Sequence, residues 1–182
     1  MMFTEDEKKA FYRVIMSRRS VRSYRDQEIP REVLERILET GRRAASAANR
    51  QPWRFVVAAR SQEHPIYGLL AGRTLQQAPV IIIGLVDRSR AWVRKGDGMS
   101  YGWVDVTIAL TEMILAATAE GLGTCWVAAF DSAEASRILE LPEELAPVAL
   151  VTLGYPLESL GVDEKDRLPF SEVVDWGSLP QE

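Results

Sequence analysis

Five consecutive residues, Arg18-Arg19-Ser20-Val21-Arg22, set three guanidiniums and a hydroxyl into one short turn after a helical stretch. A guanidinium is a rigid fork of donors that matches phosphate or carboxylate oxygens, so the run is suited to gripping one oxyanion. Each such charge-assisted bond contributes about 1.5–3 kcal/mol. A solvated basic turn is the plainer alternative. Nucleic-acid phosphates would also fit, but the net charge of −4, the lack of flanking aromatics beyond Tyr24 and the absence of any nucleic-acid motif argue against them.

A second group, Ser46, Asn49 and Gln51, precedes Pro52-Trp53 where a helix gives way to a strand. Amides suit the pyrimidine edge of a heterocycle, which alternates donors and acceptors. Asn49 also reads as a helix stop and Pro52 as a turn former.

The remaining chemistry is defined by scarcity. A single histidine, His64, and a single cysteine, Cys125, leave no disulfide framework, cysteine metal cluster or Ser-His-Asp triad. Cys125 sits in an apolar strand with no basic neighbour in sequence and reads as a core thiol. Gly121-x-Gly123 leaves a helix and opens a strand, the reverse of a dinucleotide-binding loop, and Gly96-x-Gly98 lacks the third glycine. There is no P-loop lysine and no Gly-x-Ser-x-Gly elbow. An enzyme made from this chain takes its chemistry from a cofactor.

The elements that must hold these residues follow from periodicity. Thr4-x-x-Glu7 predicts a capping box, with Phe11, Val14 and Ile15 as the apolar face of a helix running to about Ser17. Pro30 suits the first turn of a second helix, with Val33, Leu34, Ile37 and Leu38 as its buried stripe, ending near Gly41 to Ala45. Trp53 to Ala59 reads as a strand, and the apolar run Val80 to Val86 as a strand buried on both faces. A short helix is expected around Ile66 to Leu75, and residues 88–100 read as a loop or lid. The longest helix runs from about Tyr101 to Glu120. Its apolar residues Val104, Ile108, Leu110, Ile114 and Leu115, with Thr111 and Thr118, wrap most of its circumference and predict a central position. Strands follow at Thr124 to Ala129 and Val148 to Leu153, with a short helix capped by Asp131 and Glu134 between them. Helices first, then strands interleaved with helices, give a mixed α+β layered domain. The 182 residues fit one domain. With no leader and no long uncharged apolar run, no membrane span is expected and the cytoplasm is the expected location.

Charge is unevenly spread. Residues 13–60 hold twelve arginines, no lysine and five acids, a balance of +7, whereas residues 131–182 hold twelve acids against three bases, a balance of −9. The two halves could attract each other across a fold or a dimer.

Taken in order, these segments resemble the nitroreductase-like family of FMN proteins, over nearly the whole chain. The resemblance rests on Arg18 to Arg22, on Ser46-Ala47-Ala48-Asn49-Arg50-Gln51-Pro52-Trp53 and on Gly121-Leu122-Gly123-Thr124-Cys125-Trp126. It closes with Gly154-Tyr155-Pro156 and the Arg-x-Pro-Phe ending of Arg167 to Phe170. It implies a layered α-β-α domain with a central mixed, mainly antiparallel sheet. Residues 1–182 would form one FMN-binding domain, and residues 155–182 an arm exchanged in a homodimer. By the same match Arg18, Ser20 and Arg167 are phosphate candidates, Arg22 is the cation near flavin N1 and the C2 carbonyl, and Arg19 joins the group. Ser46, Asn49 and Gln51 would reach the flavin from the other subunit. The main chain of Trp126, Val127, Ala128 and Ala129 would lie along the ring and offer an amide to N5. No catalytic side chain is required.

The activity implied is electron transfer from NADH or NADPH to a small acceptor such as a nitroaromatic or quinone, ping-pong through FMN, with neither nucleic acid nor membrane as partner. Alternatives are a branch with reductive dehalogenation or flavin-modifying chemistry, and a flavin-binding module with little turnover. Two departures stand out. Ser61 to Gln77 lacks the Asn-and-Lys pair of larger members, leaving Arg73 as its candidate substitute, and the segment 88–100 is a reduced lid.

Overall fold

The computed structural model describes residues 2–158 and 166–177. Helices α1 (Glu5–Ser17) and α2 (Arg31–Arg42) come first, followed by strands β1 (Trp53–Ala59) and β2 (Val80–Asp87). Helix α3 (Gly102–Ala119), strand β3 (Gly123–Val127), helix α4 (Ser132–Ile138) and strand β4 (Leu145–Gly154) complete the core, and a single turn, α5 (Phe170–Val173), follows in the tail. The four strands form one sheet in the order β1-β2-β4-β3, every neighbouring pair antiparallel. Its parallel component is an isolated bridge between Ser20 and Thr124 beside β3.

Alternation along β2 creates the layers. Val80, Ile82 and Val86 face α2 and α3, whereas Ile81, Ile83 and Leu85 face Ile66, Leu70, Leu75 and Ala135 on the other side. Residues 80–86 are all buried, as their unbroken apolar run predicts. Each large aliphatic side chain so placed contributes about 1.5–3 kcal/mol. Gly84 lets α3 approach this strand closely: a Cβ there would stand 2.6 Å from Leu110 Cδ1. The strand register shifts between Gly84 and Leu85, where β2 meets β4 at Pro147. That irregularity accommodates a residue with no N–H inside a central strand.

Several expectations need correction. Pro30 is the N-cap of α2 and not its first turn. Instead of one helix around Ile66 to Leu75 there are separate 3-10 turns at Pro65–Leu69 and Leu75–Gln77. Strand β3 ends at Val127, so Ala128 and Ala129 lie beyond it, and β4 begins earlier than expected, at Leu145. The buried stripe of α3 is Gly102, Asp105, Val106, Ala109, Leu110, Met113, Ile114 and Ala117, while Trp103 and Val104 are exposed. This helix alone among the described residues has the length and mean hydropathy, 1.3, to cross a membrane. Its packing against α2 and β2 accounts for that character as a core helix.

Candidate functional site

The arginine run leaves α1 at Arg18, whose N–H still donates to Val14 O at 3.1 Å. It then passes along the outer edge of β3. Val21 N donates to Thr124 O at 2.7 Å, and Ser20 pairs with Thr124. Gly123 permits this approach, since a Cβ on it would lie 2.7 Å from three carbons of the Val21 side chain. Beneath the run, the Tyr24 hydroxyl donates to Val21 O at 2.6 Å and lies 2.6 Å from Thr152 Oγ1. Burial drives the Tyr24 phenol above its ordinary value, opposed in part by the Thr152 bond, so it stays a neutral donor. Burial also pushes the Cys125 thiol up, against a smaller lowering by Arg22, as expected of a core thiol.

The Gly154-Tyr155-Pro156 segment joins the same place. Arg25 N donates to Tyr155 O at 2.9 Å, Arg25 Nε donates to Pro156 O at 2.9 Å, and Leu157 N donates to Ser23 O at 3.0 Å. Three of the five sequence segments therefore meet at one end of β3 and β4. Between the arginine run and Pro156 is a recess of about 200 Å³ lined by Arg19, Ser20, Val21, Arg22, Ser23 and Pro156, with Glu158 also on its wall. Arg18 is half-buried beside it, and neither Arg18 nor Arg22 has a carboxylate partner among the described residues. Arg167 does not line the recess; it is exposed, and its Nη1 donates to Asp166 O at 2.6 Å.

The main chain of β3 is open on this side. In an antiparallel ladder every second residue turns its N–H and C=O away from the partner strand. Thr124 is such a residue, since its carbonyl accepts from Val21, and Trp126 is therefore the next. Val127 is buried, and Ala128 and Ala129 are exposed.

The Ser46 to Trp53 segment lies elsewhere. Trp53 pairs with Val86, and Asp87 N donates to Pro52 O at 2.8 Å, so residues 46–52 sit where β1 begins and β2 ends. The arginine run sits beside Thr124, at the end of the sheet where β2 begins. The separation is a diagonal: ~14 Å across three strand spacings and ~20 Å along the strands from Val80 to Val86.

The 46–52 turn is tightly made. Ser46 Oγ accepts from Gln51 N at 3.0 Å, and Gln51 Nε2 donates to both O and Oδ1 of Asn49 at 3.1 Å. Ala48, Asn49 and Gln51 all have positive φ, at 50°, 52° and 49°. Such backbone costs on the order of 1–3 kcal/mol per residue and persists only where surrounding structure enforces it. One enforcing contact comes from α3, where Asp105 Oδ1 accepts from Ala47 N at 2.9 Å. Sequence reasoning did not single out Asp105. Nor did it find the brace within the lid, where Arg94 donates to Asp97 Oδ1 at 2.9 Å and to the Tyr101 hydroxyl at 2.7 Å, closing residues 93–100 by a Val93–Ser100 bridge. Arg73, the candidate substitute for the missing pair, is exposed in the turn between the two 3-10 segments.

A layered α-β-α domain with an arginine-lined recess at one sheet edge and a strained amide turn at the opposite corner defines a recognisable class. The chain belongs to the nitroreductase family, whose model, described as "Nitroreductase family", matches residues 15–70 and 62–155. It is 31% identical over 195 residues to a protein of Thermus thermophilus named NADH dehydrogenase, covering 88% of this chain and 93% of that one. It is 30% identical over 172 residues to the FMN reductase [NAD(P)H] of Bacillus subtilis, covering 85% and 68%. A solved nitroreductase family protein from Clostridium difficile superimposes with a TM-score of 0.85 at 30% identity, covering 98% of this chain and all of that one.

Proposed function

We propose that the protein is an FMN-dependent oxidoreductase that works as a homodimer, taking electrons from NADH or NADPH and passing them to a small acceptor such as a nitroaromatic or quinone. The observation that carries this reading is the division of four of the five family segments between two corners of one sheet. A flavin held at the arginine recess of one copy would meet Ser46, Asn49 and Gln51 only from a second copy. Exposed apolar side chains support such a partner: Phe11, Tyr12 and Met16 on α1, and Trp103 and Val104 on α3, which packs against α1. A helix apolar around most of its circumference is expected to be covered on both sides.

The residues present fit the cofactor. Arg18, Arg19 and Ser20 would offer guanidinium and hydroxyl donors to a terminal phosphate, and Arg167, which lies outside the recess, would have to be brought to it. Arg22 would hold a fixed positive charge toward the pyrimidine side of the ring. The outward main chain of Trp126, followed by Val127, Ala128 and Ala129, would lie along the ring and offer an amide. Bound there, FMN supplies the two-electron chemistry that this chain, with one histidine and one buried thiol, does not. The protein's part is then to bind, orient and shield the ring, with the Arg94-braced lid bordering one side of the acceptor space.

The test is the absorbance of the purified protein and chromatography of the cofactor released on denaturation. FMN is expected, because one arginine cluster serves one terminal phosphate; FAD or a colourless protein overturns the reading. Anaerobic NADH or NADPH should bleach the bound flavin, and steady-state turnover should give parallel double-reciprocal lines. A flavin that neither donor bleaches would make the protein a passive binder.

A further inference from the structure

Asp105 is 1% exposed on the buried stripe of α3, yet it is a carboxyl in a stripe with Gly102, Val106 and Ala109. Its Oδ1 accepts the Ala47 amide, and its Oδ2 is buried with no hydrogen-bond partner among the described residues. A buried polar oxygen left unmatched is costly, so its persistence asks for a compensating role. The residue it holds opens the turn in which Ala48, Asn49 and Gln51 adopt left-handed backbone. Within that turn the side-chain bonds run among Ser46, Asn49 and Gln51 themselves, and Asp105 supplies a side-chain anchor from the rigid helix beneath.

We propose that Asp105 is a positioning residue: it fixes the 46–51 turn on α3 in the conformation that presents Ser46 and Asn49 to FMN. This rests on the reading that those two side chains reach the cofactor. Local strain at a binding segment is maintained by contacts that over-determine it, and a carboxyl oxygen on a main-chain N–H is a strong, directional contact of that type. A site whose geometry is held in advance loses less on binding than one that must be ordered by its ligand.

The experiment compares Asp105→Ala, Asp105→Asn, Ser46→Ala and Arg18→Ala, measuring FMN affinity by quenching of FMN fluorescence on the stripped protein, and amide exchange over residues 47–51. Asp105→Ala is expected to weaken FMN at least tenfold and to speed exchange at Ala47. Asp105→Asn keeps an oxygen for that amide and should stay within about threefold of the parent. If Asp105→Ala does not fold, Asp105→Leu replaces it, filling the volume without an acceptor. Parent-like affinity and exchange in the Ala or Leu variant, with Ser46→Ala and Arg18→Ala both impaired, would overturn the role of Asp105 while leaving the flavin site intact. Parent-like affinity in all variants would overturn the flavin-site reading itself. An Asn variant as impaired as Ala would show that the contact to Ala47 is not what matters.

Discussion

Among the arginines, several are accounted for by ion pairs on the surface. Arg31, Arg42 and Arg43 pair with Glu35 and Glu39 on their own helix, Arg36 pairs with Glu120, and Arg60 pairs with Asp26. Such exposed pairs contribute about 0–1 kcal/mol. Arg18 and Arg22 have no carboxylate partner among the described residues. Under the proposed function, Arg18→Ala and Arg167→Ala should each weaken FMN binding by roughly 10- to 150-fold, the equivalent of about 1.5–3 kcal/mol. Arg60→Ala should leave it unchanged. Fluorescence titration of the stripped variants decides, and equal affinities would mark the cluster as solvated charge. The arginines were legible in sequence because several of one type crowd together. Asp105 was not, since a lone carboxyl on a helix usually reads as solvent-facing. Its one available sign was spacing: it falls on the stripe with Gly102, Ala109 and Met113.

Among the elements, the close contact between the arginine run and β3 depends on the missing side chain of Gly123. Gly123→Ala would put a methyl group 2.7 Å from Val21 Cβ. Overpacking of this sort costs about 1–3 kcal/mol and is relieved by moving the more exposed partner. The variant should lose stability in urea unfolding and bind FMN more weakly than the parent, because the segment from Arg19 to Arg22 is displaced. Retention of full affinity would show that this edge contact does not set the recess. Most elements could be anticipated from their patterns, especially α1 with its capping box and β2 with its unbroken apolar run. The misreadings have local causes. Gly72, at φ +100°, ends any helix that might have crossed residues 66–75. Pro147 has no N–H to give a central strand, and the register shift opposite it, which no sequence pattern announces, lets β4 begin at Leu145. The amide turn at 46–52 was found as a composition, but its left-handed backbone was not foreseeable at Ala48 or Gln51.

For the whole molecule, five arginines of the basic half pair within that half or with Glu120 among the described residues. The acids paired with Arg31, Arg36, Arg42, Arg43 and Arg60 all precede residue 131, outside the acidic half. The tail has a clearer use. Phe170, Val173 and Trp176 are 67%, 59% and 88% exposed, leaving apolar area worth about 1.5–3 kcal/mol per large side chain to be covered. The exchange arm inferred from family resemblance would cover them on a second copy. A chain ending after Leu168 should then run as a monomer in light scattering and purify without FMN; a flavin-loaded dimer from that truncation would refute the arm. The division of the candidate site between opposite corners of the sheet carries one more consequence. Under the proposed dimer, cofactor and subunit partner are thermodynamically linked, and whatever factor dimerisation adds to FMN affinity, FMN must return to dimerisation. Dilution should then bleed flavin from the protein, and free FMN added to a dilute sample should drive subunits back together, so that occupancy follows protein concentration as well as cofactor concentration.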